Sequence, residues 1–181
     1  MEHVRSLLTL ETIRATSICT GMSISVRRYV TNKGDCFMIT KQNNGFELIE
    51  LIEMNEMEID QYHPLAGSYA IVEKNGSYLL GYNSMREKGE TPRDCAQREL
   101  HEETGQFVEN LIFIGLARVR NLLKNIEKFN PIFYATVCTL HPFQQNEETI
   151  AIRLWDLKDI IHIDQVDLAI LEYVSLLKLR D

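Results

Sequence analysis

The chain has 181 residues, a formal net charge of −7 and an ordinary globular composition, with 45% apolar and 25% charged residues. This length predicts one domain with an extension. The negative charge argues against binding to a nucleic acid polymer or an anionic membrane, because both interactions need a basic patch. A small anionic substrate held through metal ions stays compatible with it.

The cysteines and the start of the chain bear on the compartment. Cys19, Cys36, Cys95 and Cys138 are far apart and lack the spacing of a zinc site. They indicate buried or idle thiols in a reducing compartment. The first residues, "MEHVRSLLTLETIRATS", lack the long apolar run of a signal peptide, and no stretch is long enough to span a bilayer. We therefore expect a cytoplasmic protein with no membrane partner.

Residues 1–62 are predicted to form a β-rich N-terminal extension. Its first segment, "EHVRSLLTLETIRA", favours a short helix, and "SISVRRYV", "CFMIT" and "FELIELIEM" then have strand patterns. The segment "NEMEIDQYHP" predicts a short helix or loop with Asn55 as its N-cap, ending before Pro64. Three roles stay open for the extension: packing on the domain, pairing a homodimer, or shaping a substrate pocket.

Residues 63–181 are predicted to form an α/β domain. "GSYAIVEKNGSYLLGY" predicts a hairpin around Asn75 and Gly76, and "TPRDCAQRELHEETG" predicts a helix from an N-cap at Thr91 to a stop at Gly105. "NLIFIGLARV" and "PIFYATVCTL" predict strands joined by the polar segment "RNLLKNIEKFN", and "TIAIRLWDL" predicts another strand. "IDQVDLAILEYVSLLKLR" predicts a final amphipathic helix capped by Asp164.

The first of these helices carries an unusual block of charge, "RELHEE", with Arg98, Glu99, Glu102 and Glu103. An acidic run on a helix is usually a solvated face. At about 100° per residue, however, Glu99 and Glu103 point in nearly the same direction as the apolar stripe of the helix. Carboxylates so placed repel each other and need compensation. Arg98 points away and is expected to brace one carboxylate at most, so a hard divalent cation, Mg²⁺ or Mn²⁺, is the economical partner.

This stretch resembles the Nudix box, in which a glycine, five residues, a glutamate and seven residues precede R-E-U-x-E-E-x-G-U, with U a bulky aliphatic residue. The matching residues, at the spacing of the family, are Glu90, Arg98, Glu99, Leu100, Glu102, Glu103 and Gly105. The resemblance implies an α/β/α sandwich around a mixed sheet and Mg²⁺-dependent hydrolysis of a nucleoside diphosphate linked to another group.

The resemblance also implies roles for individual residues. Glu99, Glu102 and Glu103 would hold metal, and the catalytic set would be Glu99, Arg98 and Glu102, with Glu99 helping to activate water and Arg98 bracing it. Glu90 would support the loop that leads into the helix. A further acid often comes from a later loop, where Glu147 and Glu148 are candidates, although a solvated loop acid is the commoner case for either.

The sequence departs from the family just before the helix. Ser84 stands at the opening glycine, and Gln106 stands at the final aliphatic position. Leu79 and Leu80 lead into "GYNSMREKGE" without a further strand or an L-P-G-G turn, so roughly ten residues are missing relative to the family. A shortened segment of this kind leaves the shell of a metal site incomplete.

Three functions therefore stay open. An active pyrophosphohydrolase is supported by the retained carboxylates and arginine. A degenerate Nudix domain, which binds a nucleotide or a protein partner without efficient turnover, is supported by the shortened segment. A plain α/β domain with an accidental acidic helix conflicts with the inward glutamates. "RNLLKN" lacks the proline of ADP-ribose hydrolases and the tyrosine of dinucleoside polyphosphate hydrolases, which favours a MutT-like nucleoside triphosphate, with an oxidised one as an option.

Overall fold

The computed structural model of the protein describes residues 11–16, 23–31, 34–43, 45–82, 87–145, 149, 151–158 and 163–178. Among these residues the strands are β1 (Glu11–Thr16), β2 (Ser23–Thr31), β3 (Gly34–Asn43), β4 (Phe46–Ile52), β5 (Tyr69–Lys74), β6 (Ser77–Tyr82), β7 (Ile112–Asn121) and β8 (Ile126–Thr136). The helices are a 3₁₀ helix (Glu56–Gln61), α1 (Pro92–Thr104) and α2 (Gln165–Lys178). None of the described helices is long and apolar enough to cross a membrane.

The described strands form one mixed sheet in the order β1-β2-β3-β4-β7-β8-β5-β6. The pairing of β5 with β8 is parallel, and the other pairings are antiparallel. Strand β6 is therefore an edge strand, next to the one parallel pair. The strands and helices together confirm the predicted α/β class.

Strand β5 separates two hydrophobic cores. Successive side chains of a strand point to opposite faces of a sheet. Tyr69 and Ile71 accordingly pack in one core with residues of α2, whereas Ala70 and Val72 pack in the other core with residues of α1. The two helices cover opposite faces of the sheet, which confirms the predicted α/β/α sandwich.

Helix α1 lies unusually close to the edge strand. A Cβ atom at Gly81 of β6 would be 3.0 Å from the Leu100 Cα atom and 3.3 Å from its backbone nitrogen. Contacts of 3.0–3.4 Å are tighter than nine in ten real Cβ contacts, so a side chain at this position would force the helix backbone to shift by a few tenths of an ångström. The absence of a side chain lets the helix backbone rest on the strand and fixes the position of the charged block.

The N-terminal segments mostly form the predicted elements. The strand predictions over residues 23–54 are confirmed by β2, β3 and β4. Asn55 caps the 3₁₀ helix, since its side chain accepts the Met57 N–H at 3.0 Å. The predicted helix in residues 2–15 is wrong for residues 11–15, which belong to β1 and pair with β2; residues 1–10 lie outside the described part. The division of the chain at residue 62 stays a prediction, and β4 pairs with β7 across it.

The hairpin at Asn75 and Gly76 and the final helix are confirmed. Strands β5 and β6 pair from Tyr69 opposite Tyr82 to Lys74 opposite Ser77. The Asp164 carboxylate accepts the Val166 N–H at 2.7 Å at the start of α2, as an N-cap does.

Two segments differ from their predictions. The polar segment "RNLLKNIEKFN" was expected to be a connection, but its ends continue β7 and β8 to a turn at residues 122–125. Paired charges explain the difference, because Arg118 and Arg120 both form ion pairs with Glu127 across the strands. The strand expected in "TIAIRLWDL" is absent among the described residues 149 and 151–158, where Trp155 forms a single isolated bridge with Tyr78.

Candidate active site

Helix α1 has well-defined ends that place the charged block. The Thr91 hydroxyl accepts the Asp94 N–H at 3.1 Å, and Pro92 occupies the first turn, where no N–H partner is needed. Gly105 ends the helix in the left-handed region at φ 68°, and its N–H donates to the His101 carbonyl at 2.8 Å. These local signals confirm the predicted boundaries.

Glu99 is the buried member of the block. Its side chain is 1% exposed and lies on the face of α1 that packs against the sheet. The Arg98 Nη1 atom is 2.6 Å from Glu99 Oε1, but this ion pair lacks hydrogen-bond alignment. Both oxygens are therefore buried without a directed donor from any described residue. Burial raises the pKa of Glu99, and the nearby Arg98 partly opposes this rise.

Arg98 joins three glutamates. Its Nε and Nη2 atoms donate to the two carboxylate oxygens of Glu90 at 2.8 and 3.1 Å, and its Nη1 atom donates to Glu102 at 2.8 Å and contacts Glu99. The expectation that Arg98 braces one carboxylate at most is wrong, because the angular position of a Cα atom ignores the reach of a long guanidinium side chain. The guanidinium in turn lowers the pKa of Glu90.

The segment before α1 is tied to the same arginine. Glu90, which Arg98 holds, accepts the Glu87 N–H at 3.0 Å through its carboxylate, and its own N–H donates to the Glu87 carbonyl at 3.2 Å. These contacts form a closed turn at residues 87–90, in which Glu90 supports the loop. Between Tyr82 and Pro92 the described residues contain no strand; Ser84 lies in the undescribed part.

Glu102 and Glu103 differ in exposure and partners. Glu102 is an outer residue whose side chain is 48% exposed. Glu103 is partly buried, and its Oε2 atom accepts a hydrogen bond from the Thr149 hydroxyl at 3.2 Å. Thr149 belongs to the chain segment that precedes Trp155, so Glu103 links α1 to that segment.

A cavity of about 300 Å³ is lined by Glu103 and by three residues of the edge strand β6, Tyr78, Leu79 and Leu80. Its wall includes Tyr78 of β6, Glu103 of α1, Trp155 of the segment 151–158 and Asp167 of α2. Its volume lies at the lower end of the range for small-molecule sites. Because the cavity lies beside the edge strand, residues of both helices line it, although the helices cover opposite faces of the sheet.

Asp167 was missed by the sequence reasoning. It stands in the first turn of α2, four and seven residues before the buried Leu171 and Val174, so it shares their stripe. Burial and the neighbouring Asp164 raise its pKa to about 6, and a hydrogen bond from Tyr69 opposes the rise. The sequence did contain a signal for Asp167, because an acid that points in the same direction as the apolar residues of its helix had already singled out Glu99.

The predicted site residues are only partly brought together. Arg98 contacts both Glu99 and Glu102, and Glu103 lines the cavity. No three His, Cys, Asp or Glu side chains among the described residues form a preassembled metal centre. Residues 147 and 148, the two candidates for a further acid, lie outside the described residues.

Comparisons with known proteins agree with this geometry. The profile of the NUDIX domain matches residues 85–175, about half of the chain. The fold is similar to the crystal structure of the Bacillus subtilis pyrophosphohydrolase BsRppH, with a TM-score of 0.56 and 21% sequence identity, over 79% of this chain and 96% of that chain. At this identity the likeness concerns the fold alone. A comparison with curated proteins gives no significant match.

Proposed function

The chain belongs to the Nudix family of hydrolases, which act on phosphoric anhydride bonds of nucleotide-type small molecules, and on this premise we propose that it is a Mg²⁺-dependent, MutT-like nucleoside triphosphate pyrophosphohydrolase. The observation that carries the proposal is Glu99, whose two buried oxygens have no directed donor. A folded protein rarely leaves a buried carboxylate in this state without a functional reason.

The residues of α1 fit a hard divalent cation. Glu99, Glu102 and Glu103 supply oxygen ligands only, which is the chemistry that Mg²⁺ and Mn²⁺ prefer. The specific observation in favour is that neither Glu99 oxygen accepts a hydrogen bond from a described residue, so a cation would add to the compensation that the Arg98 ion pair gives. When bound, Mg²⁺ would polarise a phosphoryl oxygen, favour ionisation of water and offset the negative charge of the diphosphate.

The protein side chains have separate tasks in this proposal. The Oε2 atom of Glu99 accepts the proton of the attacking water, because the Arg98 ion pair is made at Oε1 and no described residue donates a hydrogen bond to Oε2. Arg98 fixes the carboxylates of Glu99 and Glu102 through its Nη1 atom while Glu90 holds the other end of the guanidinium. Thr149 orients Glu103 at the mouth of the cavity, which receives the nucleoside part of the substrate.

A second candidate function is nucleotide or partner binding without efficient turnover. The short connection from Tyr82 to Pro92 favours it, since the described residues there contain a turn and no strand. The lack of three preassembled ligands among the described residues also favours it. If the protein only binds, the ion pairs of Arg98 with Glu90, Glu99 and Glu102 would stabilise the structure and take no part in catalysis.

A substrate panel separates the two functions. Purified protein is incubated with Mg²⁺ and dNTPs, 8-oxo-dGTP, ADP-ribose or dinucleoside polyphosphates. Inorganic pyrophosphatase reveals pyrophosphate from the triphosphates, and alkaline phosphatase reveals newly exposed phosphates from the other two classes. We expect turnover of triphosphates that EDTA abolishes. Turnover of ADP-ribose alone would contradict a MutT-like substrate, and no turnover by folded protein would favour the binding function.

Glu99→Gln tests the assigned site. We expect activity to fall by at least roughly 10²-fold, the usual effect of losing a general base. Gln keeps the shape and removes a charge that burial penalises, so thermal unfolding should occur at an unchanged or higher temperature. Glu109→Gln is the matched control, because Glu109 is an exposed glutamate just beyond the box. Equal activity in both variants would remove Glu99 from the mechanism.

A further inference from the structure

The last position of the Nudix box departs from the pattern of the family. Gln106 stands where the pattern has an aliphatic residue, directly after the glycine that ends α1. Its side chain is 1% exposed, so a buried polar amide takes the place of a buried apolar group. A buried amide is costly unless its polar groups find partners, so the partners of Gln106 indicate its task.

The amide of Gln106 is paired chiefly with one residue of the connection between β8 and α2. Its Nε2 atom donates to the His141 carbonyl at 2.9 Å, and its Oε1 atom accepts the His141 N–H at 2.8 Å. The Nε2 atom also donates to the Thr104 carbonyl at 3.1 Å. An amide side chain has two N–H donors and one carbonyl oxygen, so each of these groups has a partner. The two bonds to His141 anchor the backbone of the connection to the end of α1.

The same connection contacts the end of α1 at two further points. A Cβ atom at Gly105 would be 3.7 Å from the Cδ2 atom of Phe143, so this ring lies against the end of the helix. The Thr149 hydroxyl donates to Glu103 Oε2 at 3.2 Å. Glu103 is therefore oriented by a residue of a connection that is itself held at His141.

Glu103 depends on an oriented partner because of its place in α1. It lies in the last turn of the helix, where the negative end of the helix dipole disfavours a carboxylate. Thr149 donates to Oε2, and no described residue donates to Oε1. A carboxylate held through one oxygen presents the other in a fixed direction, as a metal ligand must.

We propose that Gln106 is a positioning residue, which anchors His141, keeps Thr149 on Glu103 and so sets the direction of Glu103 toward a metal ion. The inference rests on the proposed function, since that function makes Glu103 a metal ligand. Gln106 itself touches neither the metal nor the substrate. An aliphatic residue at this position fills the space but cannot hold the backbone of the connection.

Binding of Mn²⁺ tests the proposal without turnover. The intact protein is titrated with Mn²⁺, and the Kd is obtained from the electron paramagnetic resonance signal of the free ion, which falls on binding. Thr149→Val removes the hydroxyl and should raise the Kd about 10-fold, the usual effect of losing a group that orients a metal ligand. Thr149→Ser keeps a hydroxyl and should keep the Kd of the wild type.

Gln106→Met is the diagnostic variant, because methionine has a similar length and cannot donate to the His141 carbonyl. It should raise the Kd roughly 3–10-fold, the effect of one lost hydrogen bond, and Gln106→Leu should do the same. Both variants should fold, since His141 is exposed and water can pair with its backbone groups. Gln144→Met is the matched control, because Gln144 is an exposed glutamine of the same connection; it should bind Mn²⁺ as the wild type does.

A double variant separates positioning from general damage to the fold. If Gln106 acts through Thr149, then Gln106→Met should have no further effect in a Thr149→Val background, and the double variant should have the Kd of Thr149→Val alone. Effects that multiply in the double variant would overturn the proposal. An unchanged Kd in both Gln106→Met and Gln106→Leu would overturn it too.

The outcomes also separate this proposal from the catalytic one. The expected Mn²⁺ pattern without turnover of any nucleotide would refute the catalytic function and support the role of Gln106. Turnover that EDTA abolishes, with equal Mn²⁺ Kd values for the wild type and Gln106→Met, would leave the catalytic function intact and overturn the role of Gln106. A wild type that binds no Mn²⁺ would also overturn that role.

Discussion

Replacing Asp167 by Asn should stabilise the protein at alkaline pH and have little effect at acid pH. In the folded protein burial and the charge of Asp164 raise the pKa of Asp167 from 3.8 to about 6. The folded state therefore binds more protons than the unfolded state between these two values. Stability accordingly falls as the pH rises from about 4 to about 6, and the penalty is complete above pH 6.

The size of this effect follows from the shift. The difference between 3.8 and about 6 is about 2 pKa units, and each unit corresponds to about 1.4 kcal/mol, so the upper limit is about 3 kcal/mol. Asp167 is only partly buried, and solvent screening reduces this limit to about 1–2 kcal/mol. Asn keeps the size and removes the charge.

Urea unfolding at pH 8 and pH 4 measures the prediction. The free energy of unfolding of Asp167→Asn should exceed that of the wild type by about 1–2 kcal/mol at pH 8, and the difference should fall below about 0.5 kcal/mol at pH 4. Taking the difference between proteins removes the titration of other groups. A gain that is equal at both pH values, or a loss of stability at pH 8, would refute the reasoning.

The remaining predictions concern the box and its support. Arg98→Lys should lower kcat/KM by about 10–100-fold, because a lysine cannot hold Glu90, Glu99 and Glu102 at once. The control Lys124→Arg, on an exposed turn, should leave kcat/KM unchanged. Equal values for the two variants would contradict the bracing role of Arg98. Gly81→Ala should destabilise the fold by about 1–3 kcal/mol in urea, because its Cβ atom would be 3.0 Å from the Leu100 Cα atom. Unchanged stability would show that α1 can move away from β6 at no cost.

Local signals account for the elements that the sequence predicted correctly. The cap at Thr91, the proline that follows it and the left-handed Gly105 all act within one helix, so their neighbours in sequence suffice to identify α1. Asn75 and Gly76 act in the same way in the β5–β6 hairpin, where both residues have positive φ. Burial of Glu99 could be predicted because the angle between residues of a helix is fixed.

Contacts between distant segments account for the failures. The charges in β7 and β8 looked like a loop, but Arg118 also pairs with Glu50 of β4, which is 68 residues away. Such partners are invisible to a local pattern. The opposite error occurred around Trp155, where alternating apolar residues resembled a strand. Ile152 and Leu154 do pack on one core and Trp155 on the other, but among the described residues of this segment the strand pairing is limited to one isolated bridge at Trp155.

The residues of the candidate site also fall into two groups, those identified from neighbouring residues in sequence and those brought in by contacts between distant segments. The box residues follow one another in a single helix, so their spacing was enough to name them. Thr149 and Asp167 come from other segments and reach the site only through the packing of the sandwich. Asp167 could still be found from the sequence, because it lies on the same face of α2 as the apolar residues. The angular position of a single acid on a helix should therefore be compared with the apolar face, as was done for the acidic run of α1.

The bridge between Tyr78 and Trp155 has a consequence for solubility. An edge strand exposes backbone N–H and C=O groups that can pair with a strand of another molecule. Tyr78 and Trp155 exchange two backbone hydrogen bonds, of 2.8 and 3.0 Å, on the outer side of β6. This short contact covers part of the edge, and the same two residues line the cavity. Opening that wall wide enough for a larger substrate would at the same time unmask a template for aggregation, which sets a physical limit on how far this pocket can be enlarged.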